Sequence, residues 1–364
     1  MSETSDRRNF LRNALAKGID SATEVTRGWN EVKRRTVGAV IGDEIGKLAK
    51  VPGDTPPGTA TAPPVDPEPS RRLARPAELK RLAADLELGD HADAIAAQAR
   101  VSIRMIPSTD VGLYKPGATR LGGFPDMPAG VEWPRRDDRP MTFLAQVNLG
   151  DVRRIGLADG LPANGLLLLF RDFDTASDGT MAADAGAVRV MHLHGQPSGF
   201  TARGPDGEPA ERGGMPVDIT AELVLPDGVT ASLPGIDFGP DERVVWDNLR
   251  DRLADLQGTS VEEESGSFRS VHRFAGHPDQ RRGGMQLTAA ICAAGHDVGH
   301  QSVLRHPEAQ NLSADAKRWR LLFQLSVDSR FGWSWSPGTG RLYVWIREDD
   351  LQAGNFDRVW AITQ

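Results

Sequence analysis

Apolar residues recur along the chain with two different spacings, which predict helices in some regions and strands in others. Near the N-terminus they repeat at three- and four-residue steps, as on one face of an amphipathic helix. These residues are Leu11, Leu15, Ile19, Ala22, Val25, Trp29 and Val32. The same spacing predicts helices from residue 76 to about 104, with Asp90 capping the second of them, and over residues 241–257.

From residue 101 onward the pattern changes to short apolar runs interrupted by Gly, Pro and Asp, which is typical of strands. The predicted strands cover residues 142–149, 165–170, 188–193, 221–225, 319–327 and 341–346. Residues 205–216 are predicted to form a surface loop. Because the helices are separated from the strands and do not alternate regularly with them, the predicted fold class is α+β, strand-rich and mixed.

A Pro-rich segment divides the chain into three parts. Residues 1–50 contain the amphipathic helix, residues 51–71 form a semi-extended spacer, and residues 72–364 form the α+β domain. The basic residues Arg27, Lys33, Arg34 and Arg35 form a basic patch near the middle of the N-terminal segment. Three roles stay open for residues 1–50: packing on the chain's own surface, binding a partner protein, and lying on a membrane surface.

Composition and charge exclude several classes of protein. The net charge of −7 is opposite in sign to that of a general nucleic-acid binder, so no nucleic-acid partner is expected. The single cysteine, Cys292, cannot form an internal disulfide and indicates a reducing compartment, which we take to be the cytoplasm. No apolar run approaches the roughly 18 residues of a transmembrane helix. The sequence gives no oligomeric state.

An alternative localisation comes from the first residues of the chain. The run from Asp6 to Arg12, with Arg7-Arg8 followed by Phe10-Leu11, resembles the twin-arginine export motif. An export signal then requires a continuous apolar region, which Lys17, Asp20 and Glu24 interrupt here. Cytoplasmic localisation is therefore the prediction, and export is the alternative.

Several spaced motifs occur in an order that points to one family. They are LGGFPDMP from Leu121, Glu132-Trp133-Pro134, FLAQVNL from Phe143, Gly276 with Pro278 and Asp279, WRLLFQ from Trp319, and GRLYVWIREDDL from Gly340. Together they resemble the YwqG-like family of bacterial domains of unknown function, from about residue 72 to the end. The resemblance implies a mixed α+β fold and no established reaction. The chain departs from the family pattern near Ser326, Pro337 and Arg282, where that pattern has acidic residues and a glutamine.

One motif suggests metal-dependent hydrolysis. The string AAICAAGHDVGH from Ala289 contains His296 and Asp297, and is similar to the His-Asp core of HD phosphohydrolases, which bind a metal that activates water. His272 and His277 upstream and Asp315 downstream would be further ligands. The two glycines Gly295 and Gly299 disfavour the helix that such a site needs, and the family resemblance places this stretch at a strand end and a loop. No cofactor is predicted.

The function predicted from these observations is a non-enzymatic binding module of unknown ligand, tethered through residues 1–50 to a partner protein. Five polar or aromatic residues inside the family motifs are the predicted ligand-contacting set: Trp133, Gln146, Asp328, Arg347 and Asp349. The alternative is a metal-dependent hydrolase using His272, His277, His296 and Asp297. No catalytic residue is predicted for the binding module.

Overall fold

The structure is a computed structural model that describes residues 72–364, except residues 111–112, 114, 158–159, 229, 237, 261–270, 281–282, 299–306, 329 and 336–339. The N-terminal helix, the Pro-rich spacer and the paired arginines Arg7 and Arg8 lie outside the described residues. No helix within the described residues is both long enough and apolar enough to cross a membrane.

The described residues form seven α-helices and fourteen strands. The helices are α1 (Pro76–Asp85), α2 (Ala92–Gln98), α3 (Leu149–Arg154), α4 (Pro240–Gln257), α5 (Met285–Ala293), α6 (Pro307–Ala316) and α7 (Glu348–Gln352). The strands are β1 (Arg100–Pro107), β2 (Arg120–Leu121), β3 (Asp126–Met127), β4 (Arg135–Arg136), β5 (Arg139–Pro140), β6 (Thr142–Asn148), β7 (Leu166–Arg171), β8 (Val188–Leu193), β9 (Thr201–Ala202), β10 (Met215–Val224), β11 (His272–Phe274), β12 (Trp319–Ser326), β13 (Arg341–Arg347) and β14 (Trp360–Thr363).

Ten of these strands form one antiparallel sheet in the order β14-β13-β12-β11-β1-β10-β2-β6-β7-β8. The sheet is curled, because its two edges approach each other. The Arg189 guanidinium on β8 lies 3.7 Å from the Asp357 carboxylate just before β14, and the Thr363 amide of β14 donates to the Asp178 carbonyl. The curl gives the sheet an inner and an outer face.

The inner face of the sheet is almost entirely apolar. Alternate residues of each strand contribute to it, such as Ile103 and Met105 on β1 and Leu342, Val344 and Ile346 on β13. These side chains join a single buried cluster that spans the sheet and includes Val190 and Ala361 from its two edges. Burial of this apolar surface is the main driving force for the curl.

The outer face carries three separate apolar clusters. Helices α1, α2 and α4 pack on β10, helices α5 and α6 pack on β12, β13 and β14, and the segment before β6 covers β6, β7 and β8. Between the first two clusters the outer face is polar. We call this region the polar strip; its members are Ser102, Arg104, Glu222, Arg273, Gln324 and Ser326, all of them buried.

The structure confirms the α+β fold class, and four element predictions need correction. The helical region ends at Gln98, and residues 100–104 belong to strand β1. Asp90 does not cap helix α2, whose N-cap is His91 and which has no side-chain cap hydrogen bond. The predicted surface loop ends earlier, because Met215 and Pro216 already belong to β10. Residues 289–293, predicted to form a strand end and loop, lie in helix α5. Met285, Ala289, Ala290 and Cys292 bury one side of this helix against the sheet, which outweighs the local sequence signal.

Candidate functional site

The polar strip is built around a row of side chains that oppose one another across four strands. Arg104 on β1 is paired with Arg273 on β11, Arg273 with Gln324 on β12, and Gln324 with Tyr343 on β13. Two arginines directly opposite each other would destabilise a sheet unless an acidic group lies between them. The neighbouring strand β10 supplies that group, Glu222.

Glu222 bridges the two arginines through both of its carboxylate oxygens. The Arg104 guanidinium donates to Oε2 at 3.0 Å, and Arg273 donates to Oε1 at 2.9 Å. Only 1% of Glu222 and 4% of Arg273 is exposed to solvent. Because removing either charge would leave the other buried and uncompensated, the three side chains hold one another in a fixed arrangement.

A turn after β11 adds a second carboxylate to this network. Asp279 is paired with Arg273 at 2.8 Å. Its amide donates to Gln324 Oε1 at 2.8 Å, and its carbonyl accepts from the Tyr343 hydroxyl at 2.7 Å and from Arg341 at 2.6 Å. Side chains of β12 and β13 therefore hold the backbone of this turn against the sheet.

Gly276 allows the turn to approach the sheet so closely. Its φ is +80°, and a Cβ at this position would lie 2.5 Å from the Ser102 Cβ. Both the left-handed backbone and the lack of space require glycine here. The turn 276–280 consequently lies directly on the outer face of β1.

The electrostatics of the network keep both carboxylates ionised. Burial would raise the pKa of Glu222, but Arg273 and Arg104 outweigh it and lower that pKa below its ordinary value. Burial would likewise raise the pKa of Asp279, yet Arg273 and Arg341 hold it well below its usual range. Neither group has a pKa near neutrality, which is what general acid-base catalysis requires.

Helix α4 and the polar strip enclose a cavity of about 920 Å³, which we call the charged cavity. Its floor is the network of Arg104, Glu222, Arg273, Asp279 and Arg341. Charged residues of α4 form the facing wall: Asp247, Arg250, Asp251 and Asp255. Arg250 connects wall and floor, since its guanidinium lies 3.8 Å from the Asp279 carboxylate. The described lining thus contains four arginines and five carboxylates, in near balance.

The structure does not bring the four predicted metal ligands together. His272 lies on the inner face with Nε2 3.3 Å from Asp328, and His277 lies in the turn on the outer face, where Nε2 is 2.7 Å from the Gln98 carbonyl. His296 and Asp297 follow the end of α5, where Asp297 accepts from the Ala182 amide at 2.7 Å. No group of three or more potential metal ligands occurs within the described residues.

The five predicted ligand-contacting residues do not share one site. Trp133 donates to the Met141 carbonyl at 2.8 Å and packs edge-on against Phe170. Gln146 is fully buried and holds the 118–126 segment through Asp126 and the Ala118 carbonyl.

The other three residues of that set are paired with nearby charges. Asp328 binds Arg330 and His272, which hold its pKa far below the ordinary value. Arg347 pairs with Asp315 at 2.8 Å, and Asp349 pairs with Arg318. Each of the five residues therefore stabilises a local part of the fold, and none lines the charged cavity.

Sequence reasoning missed the residues that line the charged cavity and those that hold the 276–280 turn beside it. Asp279, Gln324, Arg341 and Tyr343 all lie in or next to the motifs that carry the family resemblance. Their shared location in these motifs was the one feature of the sequence that could have indicated a common site. The sequence did not indicate Arg104 and Glu222, because only the pairing of β1 with β10 and β11 brings them beside Arg273.

The fold and the site define a class of protein: an α+β domain with a curled antiparallel sheet and a charged cavity on its outer face. The chain belongs to the family described as domain of unknown function DUF1963, whose match covers residues 119–364. No curated protein matches the chain at a significant level. Strand β1 precedes the matched residues, although it lies in the middle of the sheet.

Proposed function

We propose that the domain is a non-enzymatic binding module whose charged cavity holds a small zwitterionic molecule. The observation that carries the proposal is the lining of the cavity, where arginines and carboxylates occur in nearly equal number on a floor held rigid by buried ion pairs. Cavities with a few fixed, convergent polar groups are the usual binding sites of globular proteins.

The distribution of charge gives the expected orientation of this ligand. The Arg250 guanidinium reaches the floor beside Asp279. Four arginines therefore form a cationic group at the floor, namely Arg104, Arg250, Arg273 and Arg341, and Asp247, Asp251 and Asp255 form an acidic row on α4. An anionic group of the ligand would pair with the floor arginines, and a cationic group would face α4. A ligand with a single charge would pair either with the floor arginines or with the acidic row of α4, but not with both.

The same lining supports binding over catalysis. The pKa values of both network carboxylates are lowered, and that of His277 is lowered to about 3, mainly by burial. None of these three groups is able to exchange a proton near neutral pH. The Cys292 thiol lies outside the cavity, and burial raises its pKa to about 12.

The proposal extends to the family and to the N-terminal segment. The motifs from Leu121 to Leu351 support a place among the YwqG-like members of the DUF1963 family. The amphipathic spacing of residues 1–50 and the Pro-rich spacer after them support tethering of the module to a partner protein. A reducing, cytoplasmic location accords with the single cysteine.

Calorimetric titration of the full-length chain tests the proposal. The probes are free amino acids, their N-acetylated forms and their methyl esters, which share the same side chains. The free amino acid carries both backbone charges. The N-acetylated form keeps only the negative charge, and the methyl ester keeps only the positive charge. We expect at least one free amino acid to bind more tightly than both derivatives. Arg250→Gln should weaken that binding about tenfold, or about 1.4 kcal/mol.

The matched control is Arg252→Gln, which removes the same charge from an exposed position of α4 outside the cavity. It should leave the affinity unchanged. Equal binding of the three forms, or no binding of any of them, would contradict the zwitterion proposal. Stoichiometric bound metal that is lost in His296→Ala would contradict the non-enzymatic assignment and favour the hydrolase.

A further inference from the structure

Two histidines lie side by side at one edge of the sheet. His192 is on strand β8 and His194 directly follows that strand, so the two-residue spacing places both side chains on the same face. Their ring centroids are 4.1 Å apart, with the ring planes inclined at 56°. His192 is half-buried and His194 is exposed, which leaves the pair open to solvent. We call these two residues the histidine pair.

A backbone carbonyl fixes the tautomer of His192. Its Nε2 lies 2.9 Å from the Asn164 carbonyl oxygen. Because a carbonyl oxygen only accepts, Nε2 carries the hydrogen, and Nδ1 of the neutral ring carries the lone pair. Histidines that bind metals almost always donate their other ring N–H to a carbonyl or carboxylate in this way. His192 therefore has the arrangement of a metal ligand.

The position of the His192 ring is set by its surroundings. Gly165 has a φ of +98°, and a Cβ at this position would lie 2.8 Å from the His192 Nε2 and 2.3 Å from the Leu193 carbonyl oxygen. Phe356 packs edge-on against the same ring, with the centroids 5.9 Å apart. Because the ring is already held in place, binding a ligand costs less conformational entropy.

The protonation state of His192 also suits a metal ligand. Burial lowers the pKa of His192 below its ordinary value; the Asn164 carbonyl opposes this change, and the neighbouring His194 adds to it. The ring is therefore mainly neutral at pH 7. Only a neutral imidazole offers a lone pair to a metal ion.

The spacing of the two rings indicates which geometry the metal would have. A metal ion about 2.0–2.1 Å from an imidazole nitrogen, in the plane of the ring, lies about 3.2 Å from the ring centroid. Two centroids 4.1 Å apart then subtend about 80° at the metal. This angle is close to the roughly 90° between neighbouring ligands in tetragonal sites, which Cu²⁺ and Ni²⁺ prefer. The roughly 109° of a tetrahedral zinc site would need the centroids about 5.2 Å apart.

We propose that the histidine pair binds a divalent late transition metal ion, Cu²⁺ or Ni²⁺, through Nδ1 of His192 and one ring nitrogen of His194. Water completes the coordination, because within the described residues no third His, Cys, Asp or Glu forms a group with the pair. Imidazole suits both metals, and Cu²⁺ is the stronger binder of the two in the general order of affinities. Neither histidine lines the charged cavity, so this site is separate from the zwitterion site.

Metal titration of the full-length chain tests the proposal. Calorimetry with Ni²⁺ and Zn²⁺ gives their affinities, and Mg²⁺ is the control for a metal that prefers oxygen ligands. Electron paramagnetic resonance of the Cu²⁺ complex counts the coordinating nitrogens. We expect one Cu²⁺ per chain with two nitrogen ligands, tighter binding of Ni²⁺ than of Zn²⁺, and no binding of Mg²⁺.

Single replacements locate the site. His192→Ala and His194→Ala should each weaken Cu²⁺ binding at least about tenfold, because the remaining imidazole binds without a second one held beside it. His194 is exposed, so its replacement should leave the fold intact, which circular dichroism checks. His91→Ala removes a lone, partly exposed histidine and should leave the affinity unchanged.

Several results would overturn the proposal. They are the absence of Cu²⁺ binding, Cu²⁺ binding that persists at full strength in His192→Ala and His194→Ala, and equal weakening by His91→Ala. Tighter binding of Zn²⁺ than of Ni²⁺ would contradict the tetragonal geometry. Loss of the metal in His296→Ala alone would place it at the hydrolase motif instead. Each of these outcomes is independent of the amino-acid titration, which concerns other residues.

Discussion

Two cavities lie on opposite sides of the five-residue turn 276–280, and their polar groups are satisfied in different ways. In the charged cavity, arginines and carboxylates of the floor pair with each other. The other cavity, of about 230 Å³, is lined by Arg100, His277, Trp319 and Trp345, and we call it the indole cavity. The indole N–H groups of its two tryptophans are buried and have no acceptor within the described residues. The comparison shows that paired groups fix the shape and charge balance of a site, whereas unpaired groups closed off from solvent cost stability without identifying a ligand.

The largest expected effect comes from breaking the pairing in the charged cavity. Arg273→Gln would leave Glu222 with one arginine and Asp279 without its closest cation. Because both carboxylates are held in a buried network, we expect a loss of about 3–5 kcal/mol in the free energy of unfolding. Urea denaturation followed by circular dichroism measures it.

The comparison variant for Arg273→Gln is Arg100→Gln in the indole cavity. Arg100 is half-buried and does not belong to the network, so its replacement should cost less than about 1 kcal/mol. Similar losses for the two variants would mean that the buried ion pairs contribute no more than a surface charge.

An intermediate effect is expected from the turn that separates the cavities. Gly276→Ala would place a Cβ 2.5 Å from Ser102 in a left-handed backbone. Strain and overlap together should cost about 2–4 kcal/mol. Gly295→Ala is the control, because Gly295 has a similar φ of +93° but nothing within 4 Å of the added Cβ. The turn would be free to move away from the sheet if Gly276→Ala lowered the free energy of unfolding no more than Gly295→Ala does.

The smallest expected effect concerns His277, which lines both cavities. Its pKa falls from 6.5 to about 3 on folding, chiefly through burial. Below pH 6.5 the unfolded chain takes up a proton that the folded chain does not, so stability falls as the pH is lowered toward 3. The loss should reach about 1–2 kcal/mol at pH 5, at roughly 1.4 kcal/mol per pH unit.

His277→Gln isolates this contribution, since glutamine does not titrate and its amide is able to donate to the Gln98 carbonyl. Denaturation at pH 8, 7, 6 and 5 should show a constant difference between the two proteins above pH 7. Below that value the original chain should lose stability faster. Parallel curves down to pH 5 would mean that His277 becomes protonated without unfolding of the chain.

The fold class could be predicted from the sequence because the apolar runs of the long strands are unambiguous. Strand β7 is an example: residues 166–170 are all apolar and all buried, since one face joins the inner core and the other is covered by the segment before β6. Strand β1 shows the limit. Its sequence RVSIRMIP mixes charged and apolar residues, and only its position between β10 and β11 explains why Arg104 is buried.

The site was not predictable to the same degree. Gln146 and Asp328 were reasonable ligand-contacting residues as polar groups inside motifs, yet their hydrogen bonds are directed to the protein itself. Arg104 and Glu222 are 118 residues apart. No local pattern in the sequence indicates that two such residues meet, because the contact depends on the strand order of the whole sheet.

The central position of β1 also has a consequence for how the chain is made. This strand is synthesised first among those of the sheet, but its partners β10 and β11 follow only at residues 215–224 and 272–274. Pairings between such distant segments form slowly, because loop closure precedes the gain in contacts. During synthesis the backbone groups on both edges of this eight-residue segment therefore stay unpaired until β10 and β11 have been made. Arg100 and Arg104, which later line the two cavities, then act as gatekeepers that discourage pairing with a neighbouring chain.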